Sequence, residues 1–456
     1  MILEQFYLSC LSQASYLVAD ETTGRAIVVD PRRDVEPYLV AAGERGLRIE
    51  LVVLTHVHAD FVPGHSELAQ RTGATIAMSE HAPVGFECRK LSDGEVIVLG
   101  DVTITVLATP GHTPDSITLA VGEHGDEPAA ILTGDTLFLG DVGRPDLLGS
   151  AGRTSEQMAR ELYRSLRDKI LPLPDDVLVY PGHGAGSACG KALSSETVST
   201  LGAQRATNYA LAPMSEDEFV AVVTDGLGEP PAYFADEVAL NRAGHRPFDA
   251  AAPLPELTSA EAVAEGEAGV LLLDVRDDQS FTSGHLRGSV NVGLSGRFAE
   301  YAAAVRQSEQ PVLLVGSAAD VREARLRLAR VGIDAVKGAC TGLDARPELI
   351  ARHSRLTAAE AARRIEHVDG LQVVDVRAPG EFAGGSLPGA VNLPLIRLRT
   401  LTGELDPDRP VLVSCAGGYR SIAAASLLSA RGFRDVSDLL GGWAAWQSQN
   451  AVTAMG

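Results

Sequence analysis

Over the first 245 residues, short apolar runs alternate with Gly/Pro turns and helical stretches. Ala26–Val29, Leu51–Leu54, Val102–Leu107, Ala130–Leu132 and Val177–Tyr180 are β-branched-rich runs closed by turn formers, and they predict strands. Between about 225 and 256 the pattern breaks. Glu229-Pro230-Pro231, Pro247, Pro253 and Pro255 predict a connecting segment draped over a domain. Beyond it the pattern repeats after about 100 residues. Leu257-Thr258-Ser259-Ala260-Glu261 returns as Leu356-Thr357-Ala358-Ala359-Glu360, and Leu273-Asp274-Val275-Arg276 returns as Val374-Asp375-Val376-Arg377. Gly288-Ser289-Val290-Asn291 returns as Gly389-Ala390-Val391-Asn392, and Pro311-Val312-Leu313 as Pro410-Val411-Leu412. Each copy alternates strand and helix patterns, which predicts a small parallel sheet covered by helices. A repeat this long is a duplicated domain rather than a solenoid unit. The expected organisation is a domain over 1–245 with a linker to about 255, then domains over 256–352 and 355–452.

Composition narrows the partners. A formal charge of −21 over 456 residues repels phosphate backbones and anionic lipid, so neither nucleic acid nor membrane is expected. No apolar run approaches the roughly 20 residues that span a bilayer. Glu4 stands where a secretory signal would carry Lys or Arg. Five cysteines, odd in number and without a CxxC pair, suit a reducing cytoplasm. The expected protein is cytoplasmic and homo-oligomeric.

Candidate chemistry gathers at strand ends. Leu51–Leu54 runs into Thr55-His56-Val57-His58-Ala59-Asp60-Phe61. Thr109-Pro110-Gly111-His112-Thr113 follows Val102–Leu107, Thr133-Gly134-Asp135-Thr136 follows Ala130–Leu132, and Tyr180-Pro181-Gly182-His183-Gly184 follows Val177–Val179. Strand-end loops are where sheet proteins converge on a ligand. Imidazole and carboxylate are nitrogen and oxygen ligands for zinc or iron. A lone histidine is by default a packed or surface residue, and His65, His81, His124, His245, His285, His353 and His367 are read so. Four such loops in this order call for a metal.

These four loops resemble those of the metallo-β-lactamase superfamily, whose first loop usually runs His-x-His-x-Asp-His. The resemblance implies an αββα sandwich for the first domain. In two-metal members such as glyoxalase II, the matching first site would be His56, His58, His112 and Asp135. The second would keep Asp60, Asp135 and His183 but lose a ligand at Phe61, because a benzyl group cannot ligate a metal. The pattern is similar to the persulfide dioxygenase branch. That resemblance implies one Fe(II) per chain on His56, His112 and Asp135, with zinc as a possible substitute. Such a triad leaves three positions open. His58, Asp60 and His183 then orient ligands or water, with direct ligation by His58 left open. Arg144 matches an arginine at the active-site mouth of that branch, where a cation can meet the substrate; otherwise it is a surface ion pair. Cys189 follows His183 by six residues and is expected before a helix and close to Lys191, both of which lower a thiol pKa. It is read either as a sulfur relay or as buried packing. Cys10, Cys88 and Cys340 are read as structural.

The second repeat carries a thiol loop. Pro410–Ser414 leads into Cys415-Ala416-Gly417-Gly418-Tyr419-Arg420-Ser421 and then a helical run. Backbone N–H groups and a helix N-terminus there favour a thiolate or a persulfide anion, and Arg420 adds charge. The loop resembles that of a rhodanese, which implies Cys415 as nucleophile and Gly417, Gly418 and Tyr419 as the anion cradle. The first repeat has Gly316 in place of the thiol, with Asp320 close behind, and is expected to be catalytically inactive.

Together the resemblances imply a thiol persulfide and O2 as substrates of the iron site. Sulfite and thiosulfate are then exchanged through Cys415, with both chemistries held at raised effective concentration on one chain. A zinc thioester hydrolase of glyoxalase II type and a non-oxidative sulfur carrier are the alternatives.

Overall fold

The apolar runs of the N-terminal half pair into two six-stranded sheets in the computed structural model, which describes residues 1–147, 152–191, 193–344 and 346–455. The first sheet takes β1 (Ile2–Leu8), β2 (Gln13–Asp20), β3 (Arg25–Val29), β4 (Arg48–Val53), β5 (Thr75–Ser79) and β6 (Arg89–Leu91) in chain order. The second takes β7 (Val96–Leu99), β8 (Val102–Ala108), β9 (Ile117–Glu123), β10 (Ala130–Gly134), β11 (Leu178–Pro181) and β12 (Ser199–Thr200). β8 and β9 are antiparallel, β9 and β10 antiparallel, and β10 and β11 parallel. β8, β10 and β11 therefore present their carboxyl ends at the same edge.

Side-chain alternation explains why these strands read as unbroken apolar runs. On β2, Tyr16 and Val18 point into the space between the sheets with Ile27, Val29, Val53, Leu119 and Leu132. Leu17 and Ala19 point the other way, onto Tyr38 and Leu68 from helices Glu36–Glu44 and His65–Thr72. On the far side, Ile131 and Val179 pack against Leu162, Leu166 and Phe219 from the segment Ser155–Ile170 and helix Glu216–Thr224. Thr154 with Gln157, and Ser215 with Glu218, cap the starts of these two outer helices reciprocally. The result is an αββα sandwich.

The segment expected as a draped linker is different. Phe234–Ala243 is a helix, with Phe234 and Val238 buried. The prolines flank it rather than interrupt it. Behind it, the buried Arg33–Glu67 pair (2.8 Å) binds the chain at both ends: Arg33 donates to the Arg246 carbonyl, and Glu67 accepts the Phe248 N–H. This stretch belongs to the first of two compact units, Met1–Pro230 with Phe234–Phe248; the second is Pro231–Tyr233 with Asp249–Gly456.

In the second unit each repeat builds its own parallel sheet. The first orders Val290–Asn291, Leu271–Asp274, Val312–Val315 and Val336–Cys340 side by side; the second orders Ser354–Leu356, Val436–Leu439, Val411–Ser414, Gln372–Asp375 and Val391–Asn392. The repeated motifs now have physical meaning. Arg276 closes on Asp274 and Arg377 on Asp375, each through both carboxylate oxygens. Asn291 donates to the carbonyls of Asp274 and Arg276, and Asn392 to those of Asp375 and Arg377. Among the described residues no helix is long and apolar enough to cross a membrane.

Phe219 is fully buried, edge-on to Tyr163 at 5.4 Å, and far in the chain from the metal loops. Phe219→Ala should lower unfolding free energy by about 3–5 kcal/mol in denaturant titration while leaving the metal content of the folded protein unchanged.

Candidate functional site

The four histidine- and aspartate-bearing loops meet at one end of the sandwich. β3 ends in Asp30, a buried residue with φ of 48°, and this side chain organises the loop that follows β4. Its carboxylate accepts the Thr55 N–H at 2.8 Å and the Thr55 hydroxyl at 2.7 Å, and it holds His58 Nε2 at 2.9 Å. Thr55 Oγ1, having given its proton to Asp30, accepts from His56 Nδ1 at 2.9 Å. That leaves His56 Nε2 bare. His112 is fixed the same way: Nδ1 donates to the Arg144 carbonyl at 2.9 Å, leaving Nε2 bare. Asp135 Oδ2 lies 3.5 Å from His112 Nε2 and 4.0 Å from His56 Nε2. These three side chains offer ligand atoms all within 4.8 Å of one another. Gly143 is needed where it stands, since a Cβ there would lie 2.0 Å from the Asp135 carbonyl and 2.8 Å from His112 Nδ1.

The charges follow from this packing. Burial alone would raise the Asp135 carboxyl, but His183, His112 and His56 hold it well below the usual carboxylate range. Burial pushes His56 and His112 down. For His183, Asp135 at Nδ1 (2.8 Å) and Asp60 at Nε2 (2.8 Å) outweigh burial and raise it well above its ordinary value. Two bare imidazole nitrogens and one ionised carboxylate are the donor set of a divalent metal site. The residues present fit such an ion.

His58 is outside this group. Its Nε2 is committed to Asp30, and its Nδ1 is buried without a hydrogen-bond partner. Phe61 lies against it, with ring centroids 4.3 Å apart, and Asn241 of helix Phe234–Ala243 donates to the carbonyls of both His58 and Phe61. Asp60 and His183 instead group with Cys189. Expectation and structure part at Cys189. Among the described residues no helix starts behind it, and Lys191 Nζ donates to the carbonyls of Val222 and Asp225. Burial, with Asp60 and Asp135 nearby, pushes the Cys189 thiol up rather than down. Arg144 is only 7% exposed, and its guanidinium is held by Asp146 at 2.6 and 2.7 Å and by the Gly228 carbonyl at 2.5 Å. What it offers the centre is its carbonyl, to His112.

In the second unit, Cys415 is buried at the end of Val411–Ser414. The Gly418 N–H donates to its Sγ at 3.1 Å, from a glycine with φ of 99°. Three contacts that sequence reasoning missed shape this loop. Trp443 N–H donates to the Cys415 carbonyl at 2.7 Å and Ala444 N–H to the Ala416 carbonyl at 3.1 Å. Arg355 donates to the Gly418 carbonyl at 2.8 Å while pairing with buried Asp438 and with Asp278 of the first repeat. Loop carbonyls are thus tied outward, and the N–H groups are left for the thiol. Arg420 is paired through both nitrogens with Glu381 at 2.7 Å. Tyr419 donates to Gly293 of the first repeat, and its ring lies 5.6 Å from that of Tyr301. Gly417, Gly418 and Tyr419 also border a cleft of about 600 Å³ with Arg276, Ser317 and Asp320.

At the matching strand end the first repeat is crowded. A Cβ on Gly316 would meet the Val275 methyl at 2.8 Å, and Ser317 and Asp320 cap each other at the head of helix Ala318–Ala329.

The model of the metallo-beta-lactamase superfamily matches residues 8–183, and that of the rhodanese-like domain matches 258–339 and 357–449. A hydroxyacylglutathione hydrolase of Cereibacter sphaeroides is 31% identical over 275 residues, 58% of this chain and 97% of the relative. The chain belongs to the metallo-beta-lactamase superfamily. This superfamily member also carries two rhodanese-like domains. Persulfide dioxygenase ETHE1 of Homo sapiens is 29% identical over 224 residues, 49% of this chain and 80% of that one. A crystal structure of a metallo-beta-lactamase from Staphylococcus aureus is 32% identical, with a TM-score of 0.66 over 74% of this chain and 98% of that one.

Two outcomes test this geometry. Asp30→Asn should weaken metal binding by about 10–100-fold in chelator competition, through Thr55 and His56, with little loss of fold. Gly316→Cys in a Cys415→Ser background should restore no thiosulfate:thiol sulfur transfer.

Proposed function

We propose that this superfamily member is an iron-dependent persulfide dioxygenase joined to a working sulfurtransferase. The observation that carries this reading is the pairing of a two-histidine, one-aspartate donor set (His56, His112, Asp135) with a cysteine loop whose Gly418 N–H already points at sulfur. The similarity to persulfide dioxygenase ETHE1 supports it. When bound, one Fe(II) supplies open positions at which O2 and a sulfur anion can meet. The overall reaction is R–S–S⁻ + O2 + H2O giving R–SH, sulfite and one proton.

The chain's own part is positional. Asp30 through Thr55, and the Arg144 carbonyl, aim the two imidazoles. His183, held between Asp135 and Asp60, keeps the carboxylate ionised. Phe61 sits beside His58 where the superfamily motif has another imidazole, which leaves this loop one nitrogen donor short of the two-metal motif. In the second unit, the Cys415 thiolate attacks the outer sulfur of a persulfide or thiosulfate and releases the thiolate R–S⁻ or sulfite; the new Cys415 S–S⁻ is stabilised by the loop N–H groups, and an acceptor such as sulfite takes its outer sulfur and frees the Cys415 thiolate. The first repeat supports this loop through Asp278, Gly293 and Tyr301.

The hydroxyacylglutathione hydrolase relative makes thioester hydrolysis the reading to test against. Protein grown without added metal should contain one iron per chain and take up O2 with glutathione persulfide. Two zinc ions with thioester cleavage would overturn the proposal. His112→Ala should lose iron and lower O2 uptake by 100-fold or more. Cys415→Ser should keep the uptake and lose thiosulfate:thiol transfer.

A further inference from the structure

We propose that Tyr301 of the first repeat is a hydrogen-bond donor to the substrate of the Cys415 loop, binding the sulfonate end of thiosulfate and the sulfite that leaves from it. The proposal rests on the sulfurtransferase reading of Cys415 and names a specificity residue for it. Tyr301 stands on helix Phe298–Val305. Ala299, Ala302, Ala303 and Ala304 of that helix are buried, and side chains this small let a helix approach its neighbours closely. The half-buried Tyr301 ring reaches Tyr419, with centroids 5.6 Å apart and planes at 48°.

Two observations set its hydroxyl apart. The first is its surroundings. Burial raises the hydroxyl, Arg420 lowers it and Cys415 raises it, so it lies within electrostatic reach of both the thiol and the cation of the loop. Tyr301 and Cys415 act on Arg420 in turn, and the three form one cluster. The second is that the hydroxyl makes no hydrogen bond among the described residues. Its polar neighbours are committed. Arg420 gives both terminal nitrogens to Glu381, and Arg355 pairs with Asp438 and Asp278. Tyr419 donates to the Gly293 carbonyl, and Ser421 donates to Asp438. An uncommitted hydroxyl in that company can meet an incoming anion without first breaking a bond.

The chemistry separates two kinds of sulfur donor. With thiosulfate, the Cys415 thiolate attacks the outer sulfur. The Cys415 S–S bond forms as the S–S bond of thiosulfate breaks, and the electron pair leaves on sulfite. Negative charge grows on the sulfite oxygens as it departs. The Tyr301 O–H donates to one of them, keeps its own proton, and makes a charge-assisted bond that strengthens along the reaction. With a thiol persulfide the leaving group is R–S⁻, which brings no oxyanion to the hydroxyl. Tyr301 therefore tunes the loop toward sulfonate-ended donors, and the repeat with Gly316 supplies the group that does so.

The test follows persulfide formation at Cys415 by peptide mass in the full chain, anaerobically so that the metal centre does not consume the donor. Thiosulfate and glutathione persulfide are compared. Tyr301→Phe keeps the ring against Tyr419 and removes only the hydroxyl, so thermal unfolding should be unchanged. With thiosulfate its kcat/KM should fall about 10–100-fold, the scale of one hydrogen bond to a charged group, while with glutathione persulfide it should stay within about twofold. Sulfite should inhibit the variant more weakly by a similar factor. An unchanged rate with thiosulfate, or an equal loss with both donors, would overturn the role of Tyr301 alone. Absence of persulfide at Cys415 in the unaltered chain with either donor would remove the sulfurtransferase reading and this proposal with it, so the two failures are distinguishable.

Discussion

The N-terminal unit turns on one buried carboxylate surrounded by imidazoles. Asp135 is buried. It stays ionised because His183 bonds to it directly and His112 and His56 face it at 3.5 and 4.0 Å. Those histidines come from three other loops, on strands of both sheets. Removing one member leaves the others buried and uncompensated, which in a low-dielectric interior costs several kcal/mol. Asp30 repeats the device one layer back, using a single carboxylate to hold a backbone N–H, a hydroxyl and an imidazole. The end of the sandwich is therefore a polar network drawn from both sheets, and the strands that feed it can stay apolar along their length.

The rhodanese-like unit solves the same problem with a different currency of bonds. A loop at a strand end leaves backbone carbonyls and N–H groups unpaired. Around Cys415 the carbonyls are taken up by Trp443, Ala444 and Arg355. A loop whose carbonyls are occupied can turn its N–H groups toward an anion without paying for rearrangement when the anion arrives. Arg355 also reaches Asp278, so the repeat with Gly316 at this strand end is built into the support of the one with Cys415.

Much of this was legible in the chain. Each metal-loop residue stands at the end of a β-branched run, and a run's end is a property of local sequence; so are the Asp-Val-Arg and Cys415 loops. What was not legible depends on partners far apart. Asp30 is an ordinary aspartate after a strand until Thr55 and His58 fold onto it. The helix Phe234–Ala243 hid among prolines because its reason to exist is tertiary: Asn241 meets carbonyls some 180 positions earlier. At Cys189 the local signals, a neighbouring lysine and an expected helix, pointed to an acidic thiol. Burial beside two carboxylates decides the other way, and no window of sequence carries that information.

The two repeats separate what makes the fold from what makes the site. Both keep the Asp–Arg pair and the asparagine that pins it, so both form the same short parallel sheet. They differ at one strand end. In one copy a thiol is met by an N–H and flanked by carbonyls tied outward; in the other a methyl of Val275 fills the space where a Cβ would go. A cysteine at position 316 would have to push the Val275 methyl aside before it could present sulfur to anything. Asp278, Gly293 and Tyr301 of the first copy meet its neighbour's loop.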